Sequence, residues 1–170
     1  QSEYGFQKES SRSILADALH EAGQLEQAEQ LFEEAEKVQR ERQPGGRFLY
    51  SMRGYRYCNL LLGKGQWEAV LERAEEGLEI SNQHNWLLDI ALDQLSLARA
   101  YSLVAYTQIP AEPTQRDQAT QFFDLAVAGL RKAGIDDLPR SLLYRAAWRT
   151  QLGQYAEALE DLNEVFEIAD

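Results

Sequence analysis

One six-residue phrase occurs three times in this chain, and it limits the possible folds more than any other feature. The copies read Gly23-Gln24-Leu25-Glu26-Gln27-Ala28, Gly65-Gln66-Trp67-Glu68-Ala69-Val70 and Gly153-Gln154-Tyr155-Ala156-Glu157-Ala158. Each lies between two stretches of helical periodicity, so each reads as the turn of a helical hairpin. Behind each glycine runs a second pattern spaced i, i+4, i+7: Ala28, Phe32, Ala35; Val70, Ala74, Gly77; Ala158, Leu162, Val165. Such residues share one helical face, and small side chains there let a neighbouring helix approach closely. Between the second and third phrases the spacing recurs without its glycine, in Ala119, Phe123 and Ala126. Four hairpins therefore account for the chain. Self-similarity at a period of tens of residues signals a solenoid, whose units cannot bury their apolar faces alone.

Punctuation places the hairpins at about 10–42, 47–83, 86–133 and 139–170, as a single array over 1–170. The first pairs Ser10–Ala22 with Leu25–Arg42 and is closed by Pro44-Gly45-Gly46. The second pairs Arg47–Leu62 with Trp67–Gln83. Asn85 reads as an N-cap for a third hairpin that runs from Trp86 to about Tyr106. Pro110 and Pro113 make Thr107–Thr114 an exposed loop. Thr114-Gln115-Arg116-Asp117 then reads as a capping box, with Asp replacing Glu, for a helix reaching about Lys132. The last hairpin starts at Pro139, after Asp136 and Asp137. Because the chain opens on Gln1 rather than Met, a fragment of a longer protein is expected.

Composition removes several function classes. Apolar residues make up 44% of 170, enough for a substantial core and too many for a disordered chain. A net charge of −11 argues against nucleic acid or an anionic membrane as the main partner. No stretch approaches the roughly 20 apolar residues that span a bilayer, and no signal peptide opens the chain. The lone Cys58 excludes an internal disulfide and fits a reducing cytoplasm.

The glycine-aromatic turn, the small residues Ala16, Cys58, Ala100 and Ala146 on the first helices, and the small-aromatic-small triplet on the second together resemble the tetratricopeptide repeat. The resemblance implies an all-α, right-handed superhelical solenoid of four hairpins, about eight helices. The anchors Ala28, Val70, Ala119 and Ala158 lie further apart than the roughly 34 residues of the usual unit, so helices or connections are longer than standard. Three runs carry a narrower resemblance: Leu49–Leu62, Leu88–Tyr101 and Leu138–Ala146. They look like the C-terminal repeat arrays of large bacterial signalling proteins, which implies a sensor or adaptor portion.

No catalytic or metal site is expected, and no cofactor. His20 and His84 fall in different hairpins, where a structural metal wants about four clustered ligands. His20 reads as solvent-facing near a helix end and His84 as a turn residue. Gly63-Lys64-Gly65 lacks the phosphate-loop spacing and follows a helix rather than a strand. Cys58 reads as a buried, inert thiol, and runs such as Glu33-Glu34-Ala35-Glu36 as solvated faces. The aromatics Phe32, Trp67, Phe122, Phe123, Trp148, Tyr155 and Phe166 read as packing.

Charge is uneven. Second helices hold most of the acid, whereas the first helices of the second and fourth hairpins hold Arg47, Arg53 and Arg56, and Arg140, Arg145 and Arg149. The resemblance implies that first helices line a concave groove, which would then be neutral to basic. Such a groove suits an acidic protein segment or peptide, with Arg reading carboxylates and Tyr supplying rigid contact area. The candidates are Tyr55, Arg56, Asn59, Gln94, Arg99, Tyr101, Arg140 and Arg145. Arg145 and Arg149 equally suit ion pairs with neighbouring helices. The family's carboxylate clamp is not reproduced, because Tyr55 stands where its Lys is expected. The expected function is a non-enzymatic protein-interaction scaffold. Its rivals are an array that packs on its own parent protein and a small-molecule sensor. The last helix stays apolar to its end, in Leu162, Val165, Phe166 and Ile168, which implies further repeats or self-association.

Overall fold

The computed structural model describes residues 2–43, 45–107, 113–133 and 136–169, with side chains from Gln7 onward. They form eight α-helices: α1 Ser2–Glu21, α2 Leu25–Arg42, α3 Ser51–Gly63, α4 Trp67–His84, α5 Leu87–Thr107, α6 Pro113–Ala133, α7 Leu138–Gln151 and α8 Tyr155–Ala169. The described residues contain no strand. Each helix packs on the next, and α1, α3, α5 and α7 also touch in succession. The backbones of α2, α4, α6 and α8 stay apart, and these helices touch only through side chains, Arg73 with Glu36 and Arg131 with Glu164. The odd helices thus form one continuous row, and the even ones pack behind it.

The three glycine phrases are the bends of α1–α2, α3–α4 and α7–α8. Gly23, Gly65 and Gly153 have φ of +76°, +72° and +77°, the left-handed region that a Cβ disfavours. At each bend the glycine and following glutamine N–H groups cap the preceding helix. Gly65 donates to the Leu62 carbonyl at 3.0 Å and Gln66 to that of Leu61 at 2.9 Å. The same cap closes α4, where Asn85 (φ +54°) takes the glycine's place and Trp86 N–H reaches the Ser81 carbonyl at 3.0 Å. Asn85 is therefore the end of α4, not the N-cap of α5. Asn is the side chain that best tolerates this conformation, so one residue type serves both signals.

Boundaries differ from expectation at three further points. Helix α1 starts at Ser2 instead of Ser10. Thr114 lies inside α6, which opens at Pro113, so the capping box is not its start; the rest of the expected loop, at 108–112, lies outside the described residues, as does Pro44. Helix α3 starts at Ser51 rather than Arg47. Buried polar groups of α2 hold the preceding segment: Glu36 accepts the Leu49 N–H at 3.0 Å, and Gln39 donates to the Phe48 carbonyl. A Cβ at Gly54 would lie 2.4 Å from the Leu49 carbonyl oxygen, so only glycine lets that segment cross α3.

The small positions are where helices meet. Ala16, Cys58, Ala100 and Ala146 are all buried, and so are the triplets of α2, α4 and α6. Triplet aromatics reach the next hairpin: Phe32 stacks on Tyr57 at 4.7 Å, and Phe123 meets Trp148 at 6.4 Å. Burial pushes the Cys58 thiol up to about 12, as an inert core cysteine requires. In α8 the pattern is only half used. Leu162 and Val165 are half-buried while Tyr155 and Phe166 are exposed, against the expectation that both pack, because no described element covers that side.

One interface carries an unpaired acid. Asp93 of α5 is buried over Gly77 of α4, where a Cβ would come within 2.8 Å of its carboxylate, and Ser81 donates to it at 2.9 Å. No cation lies within ion-pair distance among the described residues. Burial, with Asp89 adding to it, raises its pKa to about 7. The fold thus favours the protonated form, so this acid's contribution to stability is full below about pH 4 and is lost as pH rises through about 7. Thermal melts of Asp93→Asn should show a flatter pH dependence between pH 4 and 7 and a higher Tm than wild type at pH 8; a parallel profile would show that Asp93 is not the cause. Gly65→Ala and Gly153→Ala should each cost about 1 kcal/mol by denaturant titration. Gly45→Ala, with open space around it, should change little.

Candidate functional site

A cleft of about 620 Å³ opens across the row of odd helices, at the N-terminal ends of α3 and α5. Its walls are Ser10, Ser13 and Ile14 of α1, the stretch Tyr50–Arg53 with Arg56, and Trp86–Asp89. Three apolar side chains here face water: Ile14 at 58% exposure, Leu87 at 54% and Trp86 at 39%. Trp86 stacks on His84 at 4.5 Å and on Tyr50 at 6.2 Å. The Arg53 guanidinium lies 5.5 Å from the Tyr50 ring centre. At the mouth, Ser51 adopts a left-handed φ of +60° and donates to Asp89 at 2.8 Å, a side-chain bond that offsets backbone strain. A stacked aromatic wall with apolar groups left in water offers contact area.

Arginines around the cleft are tied down by α1. Glu9, fully buried, meets Arg42 of α2 at 2.7 Å and Arg53 of α3 at 3.0 Å. Asp17 meets Arg56 at 3.2 Å. One acidic helix therefore neutralises the basic side chains expected on the second hairpin. Arg47 lies before α3 and pairs with Glu72 and Glu76 of α4, away from the cleft.

The eight candidate side chains separate into five environments. Arg56 lines the cleft, and half-buried Gln94 makes no side-chain hydrogen bond among the described residues. Tyr101 stacks on Phe122 of α6 at 5.9 Å. Arg145 is buried and bound to Asp161 at 2.6 Å and Asp124 at 3.0 Å. Arg149 joins the same acids, the ion-pair alternative for both residues. Tyr55, Asn59, Arg99 and Arg140 come together where α3, α5 and α7 meet. Arg99 donates to Asn59 and lies 4.0 Å from the Tyr144 ring centre. Burial drives the Arg99 pKa down and that of the Tyr55 hydroxyl up.

Sequence reasoning missed the cleft's aromatic wall. Tyr50 and Trp86 lie just outside the helices, in the segments that lead into α3 and α5, and meet where those two helices pack side by side. Asp17, His20 and Glu21 lie close enough for one atom of each to meet a cation. Asp17 is already committed to Arg56, and exposed acid groups of this kind are common. His20 does not face solvent as expected. It is half-buried against Gly63, with an enclosed Nδ1. His84 ends α4 and its Nδ1 lies 2.9 Å from the Ile80 carbonyl. No helix among the described residues is long and apolar enough to cross a membrane.

No family model, curated protein or solved structure matches this chain.

Glu9→Gln leaves two arginines short of their shared acid and should cost about 3 kcal/mol, read as a lower urea midpoint at unchanged slope. A change under 0.5 kcal/mol would mean that solvent already screens the pair.

Proposed function

We propose that this chain is a non-enzymatic, tetratricopeptide-like solenoid that binds a protein segment on the face formed by α1, α3, α5 and α7. The observation that carries the reading is the cleft. It joins three successive hairpins, leaves Ile14, Trp86 and Leu87 in water, and stacks Trp86 with two rings, His84 and Tyr50. Pre-ordered aromatic anchors contribute most of the energy at peptide interfaces, because little side-chain entropy remains to be lost. Arg53 and Arg56 at the rim favour an acidic or amphipathic segment, although Glu9 and Asp17 reduce their net field. The right-handed superhelical course, with this row on its concave side, belongs to the same proposal.

A second reading has its own support. Tyr155, Leu159 and Phe166 leave one side of α8 apolar and exposed, which suits packing against the parent signalling protein or a second copy of the array. The two readings place contact at opposite ends of the row. A small-molecule sensor is the third reading, since the cleft volume suits such a ligand as well.

A peptide array probed with wild type, Trp86→Ala and Arg56→Glu decides between them. Docking on the cleft predicts acidic, apolar-containing peptides whose affinity falls ~30-fold in Trp86→Ala, the loss of about 2 kcal/mol at one anchor. Equal binding by both variants would remove the cleft from the interface. Leu159→Glu should leave peptide binding intact and abolish any self-association seen by sedimentation.

A further inference from the structure

We propose that a second copy of this chain occupies the exposed side of α8, and that it does so with the outer face of its own α1, so that arrays join head to tail. If that side of α8 is a contact surface, as the second reading holds, its occupant follows from register. In each earlier hairpin the even helix packs on the odd helix that comes next: α2 on α3, α4 on α5 and α6 on α7. The residue after the first member of a triplet turns toward that next hairpin. Glu29 pairs with Lys64 at the end of α3, and Thr120 accepts the Trp148 indole N–H of α7 at 3.0 Å. Seven residues on, Glu36 accepts the Leu49 N–H at 3.0 Å and Val127 is fully buried. Leu159 and Phe166 hold these two registers in α8, and they are 59% and 71% exposed. Helix α8 thus presents, in apolar form, the face with which α2 and α6 hold a following odd helix.

The matching register lies on α1. The residue before the small position of an odd helix meets the preceding even helix: Tyr57 stacks on Phe32 of α2 at 4.7 Å, and Arg145 meets Asp124 of α6 at 3.0 Å. In α1 that residue is Leu15, 52% exposed. One and two turns earlier α1 carries Arg12 and Lys8, at the registers of Leu142 and Leu138, which are buried in α7. All three line a hollow of about 340 Å³. The charges are complementary too. Glu160 and Glu167 directly follow Leu159 and Phe166 and are exposed, and α8 holds no Lys or Arg. Among the described residues neither acid has a cation within ion-pair distance, and Lys8 has no acid; Arg12 shares its charge with exposed Glu34 at 3.2 Å. An α8-to-α8 contact would instead set two acidic helices together, whereas α8 on α1 sets acid beside base around an apolar centre.

Such a contact uses a different face on each partner, so it does not close at two copies, and a third can join the second. One helix on one helix belongs at the small, transient end of interfaces, below about 1,200 Å², so joining is weak and reversible. Sedimentation velocity from about 10 to 500 µM covers the range in which contacts of this size form. Wild type should grow with concentration past the dimer, and less so at high salt. Leu15→Glu and Phe166→Glu, both at exposed positions, should each remain monomeric with an unchanged Tm. Their equimolar mixture should form a 1:1 complex that grows no further, because the first variant keeps its α8 face and the second its α1 face. A wild type that stays monomeric, or a mixture without the 1:1 complex, would overturn head-to-tail joining. Association of Leu15→Glu as in wild type, with Phe166→Glu monomeric, would also overturn it, while keeping α8 as a contact surface paired with itself. Association of both variants as in wild type would remove α8 from the interface as well.

Discussion

Close approach of helices at alanine, glycine and cysteine positions is the constraint on which the rest of this structure depends. A small side chain at Ala28, Ala35, Ala119 or Ala126 loses little apolar area by its own size. It gains instead by letting a whole facing helix make dispersion contacts along its length. The tolerance is narrow. At Gly77 and Gly129 a single added carbon would come within 2.8 Å of Asp93 or Ala91 on α5. The left-handed glycine bends serve the same end, because they turn the chain back within two residues and set the partner helix in contact from its first turn.

Ion pairs then determine how neighbouring hairpins are oriented. Glu9 draws α2 and α3 onto α1. Glu36 meets Arg73 of α4 while accepting the Leu49 N–H, and Asp161 holds two arginines of α7. In each case the acid is almost fully buried and its arginines reach it from one or two other elements. Pairs of this kind add little net stability over an apolar alternative, yet a shifted hairpin would strand a buried charge, and that penalty discriminates between packings. Most of the arginine content is spent on this internal matching. The acidic excess that remains lies on α2, α4 and α8, and leaves the odd-helix row closer to neutral.

Against that background the exceptions stand out. Half-buried Arg99 and buried Asp93 lie on the same helix, six residues apart, and neither has a counter-ion within ion-pair distance among the described residues. Asp93 resolves its position by holding its proton near neutral pH. Arg99 has no such option, since a guanidinium stays protonated at any physiological pH. One group adapts by holding its proton, while the other keeps its charge and rests on the Asn59 side chain and the Tyr144 ring.

The repeated phrase and the i, i+4, i+7 triplets determined, without coordinates, that the chain is all-helical, where its glycine bends fall, and which small residues are buried. Those properties are local: a glycine at φ near +75° and a 3.6-residue period act over one or two turns, and neighbouring sequence encodes both. Asn85 shows the limit of that encoding, because a cap residue serves a helix end or a helix start with equal local sense. Which arginine meets which acid was decided only in three dimensions, since Glu9 and Arg53 are 44 positions apart and a charge has no periodicity to betray its partner. The same holds for the cleft, whose Tyr50 and Trp86 lie outside the helices and meet only after α3 and α5 have packed side by side.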